Sequence, residues 1–202
     1  MTTVRPALDV GSLPSGAFGS RSLSFWGTLG IVLIESTVFA LAISSYFYLA
    51  TREPAFPPYG IAPPDLLWGA VNTALLVASL LPNELARRAA ERVDLRSVRL
   101  WMIMALACAL AFNIVRVQEF RHLNVRWDHD AYGSIVWVLL GLHTTHIVTD
   151  FLDSTVLAAL MFIGPVEEQR FVDVEENAVY WYFVVLAWLP VYGVIYWAPR
   201  WL

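Results

Sequence analysis

The sequence contains no lysine; all thirteen of its basic residues are arginine. It has one cysteine, Cys108, set in an apolar run. A single thiol excludes an intramolecular disulfide and a cysteine-based metal site. Charge is scarce: 15% of the 202 residues are Asp, Glu or Arg, against about 25% in soluble domains. The net charge of −4 lacks the basic footprint of a nucleic-acid binder. A domain of 22.7 kDa in water needs a largely polar skin, and the polar material is too little to make one. A soluble globular enzyme, a disordered chain and a basic nucleic-acid binder are all excluded. Apolar residues are abundant instead, at 58% of the chain with nine tryptophans and a mean hydropathy of +0.58.

These residues gather into five stretches, at about 26–50, 66–88, 98–120, 132–163 and 178–202. A hydrocarbon core about 30 Å thick takes about 20 helical residues. The runs lack strict alternation, and lipid admits only helices or closed barrels. The expected fold is therefore all-α, a polytopic bundle of five transmembrane helices. Residues 1–25 hold Arg5 and Arg21 among Gly and Ser, without the apolar core of a cleavable signal, and read as a short soluble tail.

The connections agree. Residues 53–65 carry five prolines, which block helix. Residues 82–97 are charged, and 164–177 form an acidic loop. Pro190 predicts a kink in the last helix. With the N-terminus inside, inner segments carry Arg5, Arg21, Arg87, Arg88, Arg92, Arg96, Arg99 and Arg170, whereas outer segments carry Arg52, Arg121, Arg126 and Arg200. The bias favours a cytoplasmic N-terminus and a periplasmic C-terminus.

Polar side chains within the apolar runs are the candidate functional residues, because each is costly in hydrocarbon. Glu35 lies in the first run, as a proton or gating carboxyl or as an acid bonded to a neighbouring helix or subunit. Asn72 and Thr73 sit in a small-residue stretch suited to close helix packing. Arg116 and Glu119 are three apart and can pair on one face, with Gln118 beside them, near an expected membrane boundary where lipid headgroups lie within reach. His143, His146, Asp150 and Asp153, spaced 3, 4 and 3, share one helical stripe. Such a stripe can fasten helices, relay protons or contribute metal ligands. Four histidines in the whole chain are a thin supply for a redox centre, and no metal site is expected.

Taken in order, these segments resemble subunit III of the haem-copper respiratory oxidases, the cytochrome c oxidase subunit III family. WGTLGIVLIESTVFALAISSYFYL looks like the family's glutamate-bearing helix, with Glu35 at its membrane carboxyl. PPYGIAPPDLLWGAVNTALLVAS resembles the Pro-rich loop and the helix after it, and VQEF (117–120) a shortened form of the family's Q-x-x-E-Y ending. YGSIVWVLLGLHTTH matches at Tyr132, Gly133, Ser134, Gly141, His143 and His146. ENAVYWYFVVLAWLPVYGVIYW resembles the closing helix, with Tyr182 and Val185 where the family has His and Asp.

The resemblance starts at Trp26 and implies the five-helix bacterial form, without the first two helices of seven-helix members. It implies a non-catalytic subunit of the bacterial inner membrane that packs on oxidase subunit I in a complex that also holds subunit II. Haem and copper are expected in those partners and no cofactor in this chain. It also implies bound phospholipids and support for proton uptake, with Glu35, Asn72, Gln118, Glu119, His143 and His146 carried over as site residues. Rival expectations are an accessory protein of a nitric oxide reductase, a stand-alone proton or small-solute conductor, and a metal enzyme built on His143, His146 and Asp150.

Overall fold

The computed structural model describes residues 23–163 and 166–201. Five helices follow one another: α1 (Leu23–Arg52), α2 (Leu66–Glu91), α3 (Leu95–Arg121), α4 (Ala131–Phe162) and α5 (Glu168–Tyr192). All five are long and apolar enough to cross a membrane, and the described residues contain no strand. The expected all-α membrane bundle is what the chain forms. Most of the segment read as a soluble tail, residues 1–22, lies outside the described residues.

Local chemistry sets the helix starts. Asp65, Asp94 and Asp130 stand at the N-caps of α2, α3 and α4, each accepting from backbone N–H groups of its first turn. These donors have no partner inside a helix, so a short acceptor side chain completes them. The Asp94 carboxyl is held below the usual aspartate range, first by the Ser97 hydroxyl and then by the Ser97 N–H. In the loop before α4, Arg126 forks onto Asp128 (2.9 Å) and holds that carboxyl low as well.

α2 and α3 form a hairpin closed by Arg92–Asp94. Val93 takes a positive φ of 55° there, while its N–H and that of Asp94 return to the carbonyls of Ala90 and Ala89. That pattern normally ends on glycine, and a β-branched residue in this conformation is strained by about 1–2 kcal/mol.

The last helix departs from expectation. α5 begins at Glu168, ten residues before the expected start, so most of the acidic stretch is helical. Phe171, Val174, Ala178 and Trp181, spaced 3, 4 and 3, are buried along one side. The charges on the other faces had masked that amphipathic period. The helix runs on through Pro190 and then widens into a π turn over Gly193–Trp197, where the Ala198 N–H reaches back to the Gly193 carbonyl.

α1 packs on α4 and α5, whereas α2 packs on α3 and α5. Most of α1 is bare, with Ile31, Leu33, Ile34 and Leu41 exposed; a lipid-facing helix carries such a surface without penalty. The main core gathers Phe39, Leu76, Phe112, Leu139, Leu140, Ile147, Trp188 and Ile195. A second cluster around Ala89, Val98, Met161 and Phe171 closes the end of the bundle near the α2–α3 turn. At the opposite end Arg200 donates to the Pro64 carbonyl (2.7 Å) and to the Tyr196 carbonyl, tying the C-terminal turn to the Pro-rich loop.

Candidate functional site

The polar residues singled out from sequence fall into three groups, not one. The first is a charged clamp inside the bundle. Arg116 and Glu119 pair at 2.8 Å with each side chain only 1% exposed. They are not at a lipid-facing boundary: with Asn72 they face one another inside the protein, and none of the three is open to headgroups. Glu119 accepts from Arg116 and Asn72 at Oε2 and from the Tyr196 hydroxyl at Oε1. The Arg116 guanidinium lies over the rings of Trp188 (4.3 Å) and Phe112 (4.7 Å). An ion pair removed from water survives only where further hydrogen bonds and π faces replace hydration, and those are the groups supplied here.

His143 completes the clamp. Arg116 can only donate, so His143 Nδ1 accepts from it at 3.2 Å; Nε2 then carries the proton and donates to the Val184 carbonyl at 3.1 Å. Both ring nitrogens are thereby committed, in the Nε2–H tautomer. A ligating nitrogen would have to break one of these bonds, which argues against the metal reading of this histidine. The clamp joins α2, α3, α4 and α5 to the π turn. Nearby, the Trp188 indole donates to Thr73 (2.8 Å) and Trp181 to Ser79 (2.9 Å). Gln118 lies outside it and gives its backbone carbonyl to His122.

Gly69 is part of the construction. A Cβ at that position would sit 2.5 Å from the Tyr196 ring, so only glycine lets the tyrosine pass across α2 to reach Glu119. Gly133 has a similar role at the start of α4, where a Cβ would fall 2.1 Å from the Arg126 carbonyl oxygen.

The second group centres on Glu35. Its Oε2 accepts from Tyr180 at 2.8 Å, and its Oε1 lies 3.5 Å from His146 Nε2. His146 Nδ1 donates to the Leu142 carbonyl at 2.7 Å. Nε2 therefore presents a lone pair to a carboxyl oxygen unless a proton sits between them. The contact brings α1 against α4, and the Tyr180 bond ties α5 to the same carboxyl.

The third group is Asp150 and Asp153. Asp150 is buried, whereas Asp153 is exposed. They line a cleft of about 560 Å³ between α1, α4 and α5, with Glu35, Asp173, Glu176, Tyr180 and Arg170 on its polar wall and Ile31, Val156, Leu157 and Leu160 on its apolar one. Asn177 reaches Ser154 at 3.0 Å and Asp153 at 3.5 Å across the α4–α5 seam. The helix-four stripe thus serves three environments along about 15 Å of helix, and no group of three or more His, Cys, Asp or Glu among the described residues could hold a metal ion.

Sequence reasoning missed Tyr196 and Tyr180, which complete the first two groups, because a tyrosine in an apolar run reads as core. It also missed Glu84, which takes Arg87 at 2.8 Å, Arg88 at 2.6 Å and the Tyr182 hydroxyl, fastening α2 to α5. Its signal was present: Glu84 with Arg87 and Arg88 is an i, i+3 and i, i+4 pattern.

The family model for cytochrome c oxidase subunit III matches residues 23–200. A Synechocystis protein named cytochrome c oxidase subunit 3 is 25% identical over 182 residues, covering 90% of this chain and 78% of its own length. A Mycobacterium tuberculosis protein named probable cytochrome c oxidase subunit 3 is 27% identical over 176 residues, with 82% and 84% covered. A Myxine glutinosa protein named cytochrome c oxidase subunit 3 is 24% identical, with 83% and 67% covered. With five apolar helices, polar groups arranged to join them, and a family match running from the start of α1 to Arg200, this chain belongs to the cytochrome c oxidase subunit III family.

Proposed function

We propose that the chain is the non-catalytic subunit III of a haem-copper terminal oxidase in a bacterial inner membrane. It packs on subunit I in a complex that also holds subunit II, and these partners carry the haem and copper. Its own part is to stabilise the complex, hold phospholipid and support proton uptake during oxygen reduction. The N-terminus is cytoplasmic and the C-terminus periplasmic.

The observation that carries this reading is the use made of the polar residues. Arg116, Glu119, Asn72, His143 and Tyr196 bond to one another across helices, which supports a scaffold and not a redox site. Glu35, in contact with His146, lines the α1–α4–α5 cleft, a placement that suits proton exchange there. The apolar wall of that cleft suits an acyl chain.

The test uses the assembled oxidase. Glu35→Ala or His146→Ala should leave its haem spectrum intact while lowering assembly or shortening endurance under turnover. Loss of the haem spectrum from a fully assembled complex would assign this chain a catalytic role and refute the proposal.

A further inference from the structure

Behind the α1–α4–α5 cleft lies a second, partly open cavity, about 30 Å³, lined by α2, α3, α4 and α5. Its lining includes Asn83, Asp150, Ser154 and Asn177 among apolar neighbours. Asp150 and Asn177 line both spaces and form the wall between them. Asp150 is 4% exposed, and its Oδ1 has no hydrogen-bond partner among the described residues.

A buried carboxyl oxygen without a partner is rare, and one beside a polar cavity calls for a small hydrogen-bonding ligand. One water needs about 10–15 Å³ on the same measure, together with two to four polar partners. The space therefore admits about two waters. Asn83 spends its Nδ2 on the Ala178 carbonyl (3.2 Å), which leaves its amide oxygen to accept from a guest. Ser154 donates to Asn177 and can accept in turn. Acceptors thus gather around a space with room for water, whose two hydrogens they can take.

We propose that this cavity is a hydration site whose ordered water bonds Asp150 Oδ1, and that the water exchanges with the cleft across the Asp150–Asn177 wall. Asp150 is then wetted from two sides. The Glu35 cleft extends through it into the bundle interior as water and carboxyl, where the rest of the core is side-chain packing.

The test is radiolytic labelling of the full chain in lipid nanodiscs, with water itself as the probe. Hydroxyl radicals made from water in place oxidise only side chains beside that water. Met102 and Trp181 line the cavity and are each 5% exposed, whereas Met161 is fully buried and lines no part of it. The expected result is oxygen uptake at Met102 and Trp181 and none at Met161. After rapid mixing with H₂¹⁸O the incorporated oxygen should be ¹⁸O. Asp150→Asn, still able to bond water, should keep the label; Asp150→Leu should lose it. Ala105→Leu, which fills the cavity from α3 and leaves the carboxyl untouched, should lose it too and serves if Asp150→Leu does not fold. Labelling no greater than at Met161, label that survives a folded Asp150→Leu or Ala105→Leu, or ¹⁶O retained after mixing would overturn the proposal. None of these outcomes bears on the subunit III reading.

Discussion

Removing one member of the buried clamp should cost far more than removing two. In Glu119→Gln, the neutral amide has one acceptor oxygen for three donors, Arg116, Asn72 and Tyr196. Arg116 then stands as an uncompensated cation that is 1% exposed. Breaking a buried pair in this way costs about 3–5 kcal/mol. Arg116→Leu leaves the reverse problem, a buried carboxylate held by two neutral donors, and the same range applies. Combining them removes both charges. Gln still accepts from Asn72 or Tyr196, and the main loss is the Arg116 bond to His143, so the double variant should cost about 1–3 kcal/mol. The singles sum to about 6–10 kcal/mol, which leaves a coupling of at least about 3 kcal/mol. The measurement is reversible unfolding of the chain in bicelles by tryptophan fluorescence, with Trp188 reporting directly because its ring lies 4.3 Å from the guanidinium. Additivity within about 0.5 kcal/mol would show that the two side chains act independently and would refute the clamp.

The two constrained glycines should separate by what each would strike. Gly133→Ala drives a methyl into a backbone carbonyl, which cannot yield without moving the loop, and should destabilise by about 3 kcal/mol or more; Gly69→Ala meets a tyrosine ring and should cost about 1–3 kcal/mol while lengthening the Tyr196–Glu119 bond. Equal thermal shifts for the two variants would contradict this ordering. Nitrogen-15 NMR of labelled histidine should find His143 as the Nε2–H tautomer, and an Nδ1–H signal would refute the Arg116 contact. Asp94 has a folded value depressed by Ser97, so its contribution is full above the ordinary aspartate range and disappears as pH falls through the depressed value. Protection of the Arg96 and Ser97 amides, measured against their intrinsic exchange at each pH, should therefore fall in acid, and Asp94→Asn, which caps without ionising, should remove that acid dependence.

Composition and the lengths of five apolar runs determined the class of this protein by themselves. Lipid offers so few ways to satisfy backbone polar groups that about 20 apolar residues leave little choice but helix. Order and spacing of motifs supplied the family in the same way, since both are linear properties of the chain. Partners across helices are not. Arg116 and Glu119 could be paired from their spacing, but burial, Tyr196 from 77 residues away and Asn72 from 47 away depend on how α2, α3 and the π turn meet. The helix-four stripe looked like one cluster because a helical projection ignores neighbours. Three different neighbours divide it: Arg116 takes His143, Glu35 takes His146, and the α5 wall receives Asp150 and Asp153. Hydrophobic length is written along the chain, whereas the match of each donor to its acceptor exists only once the helices have packed.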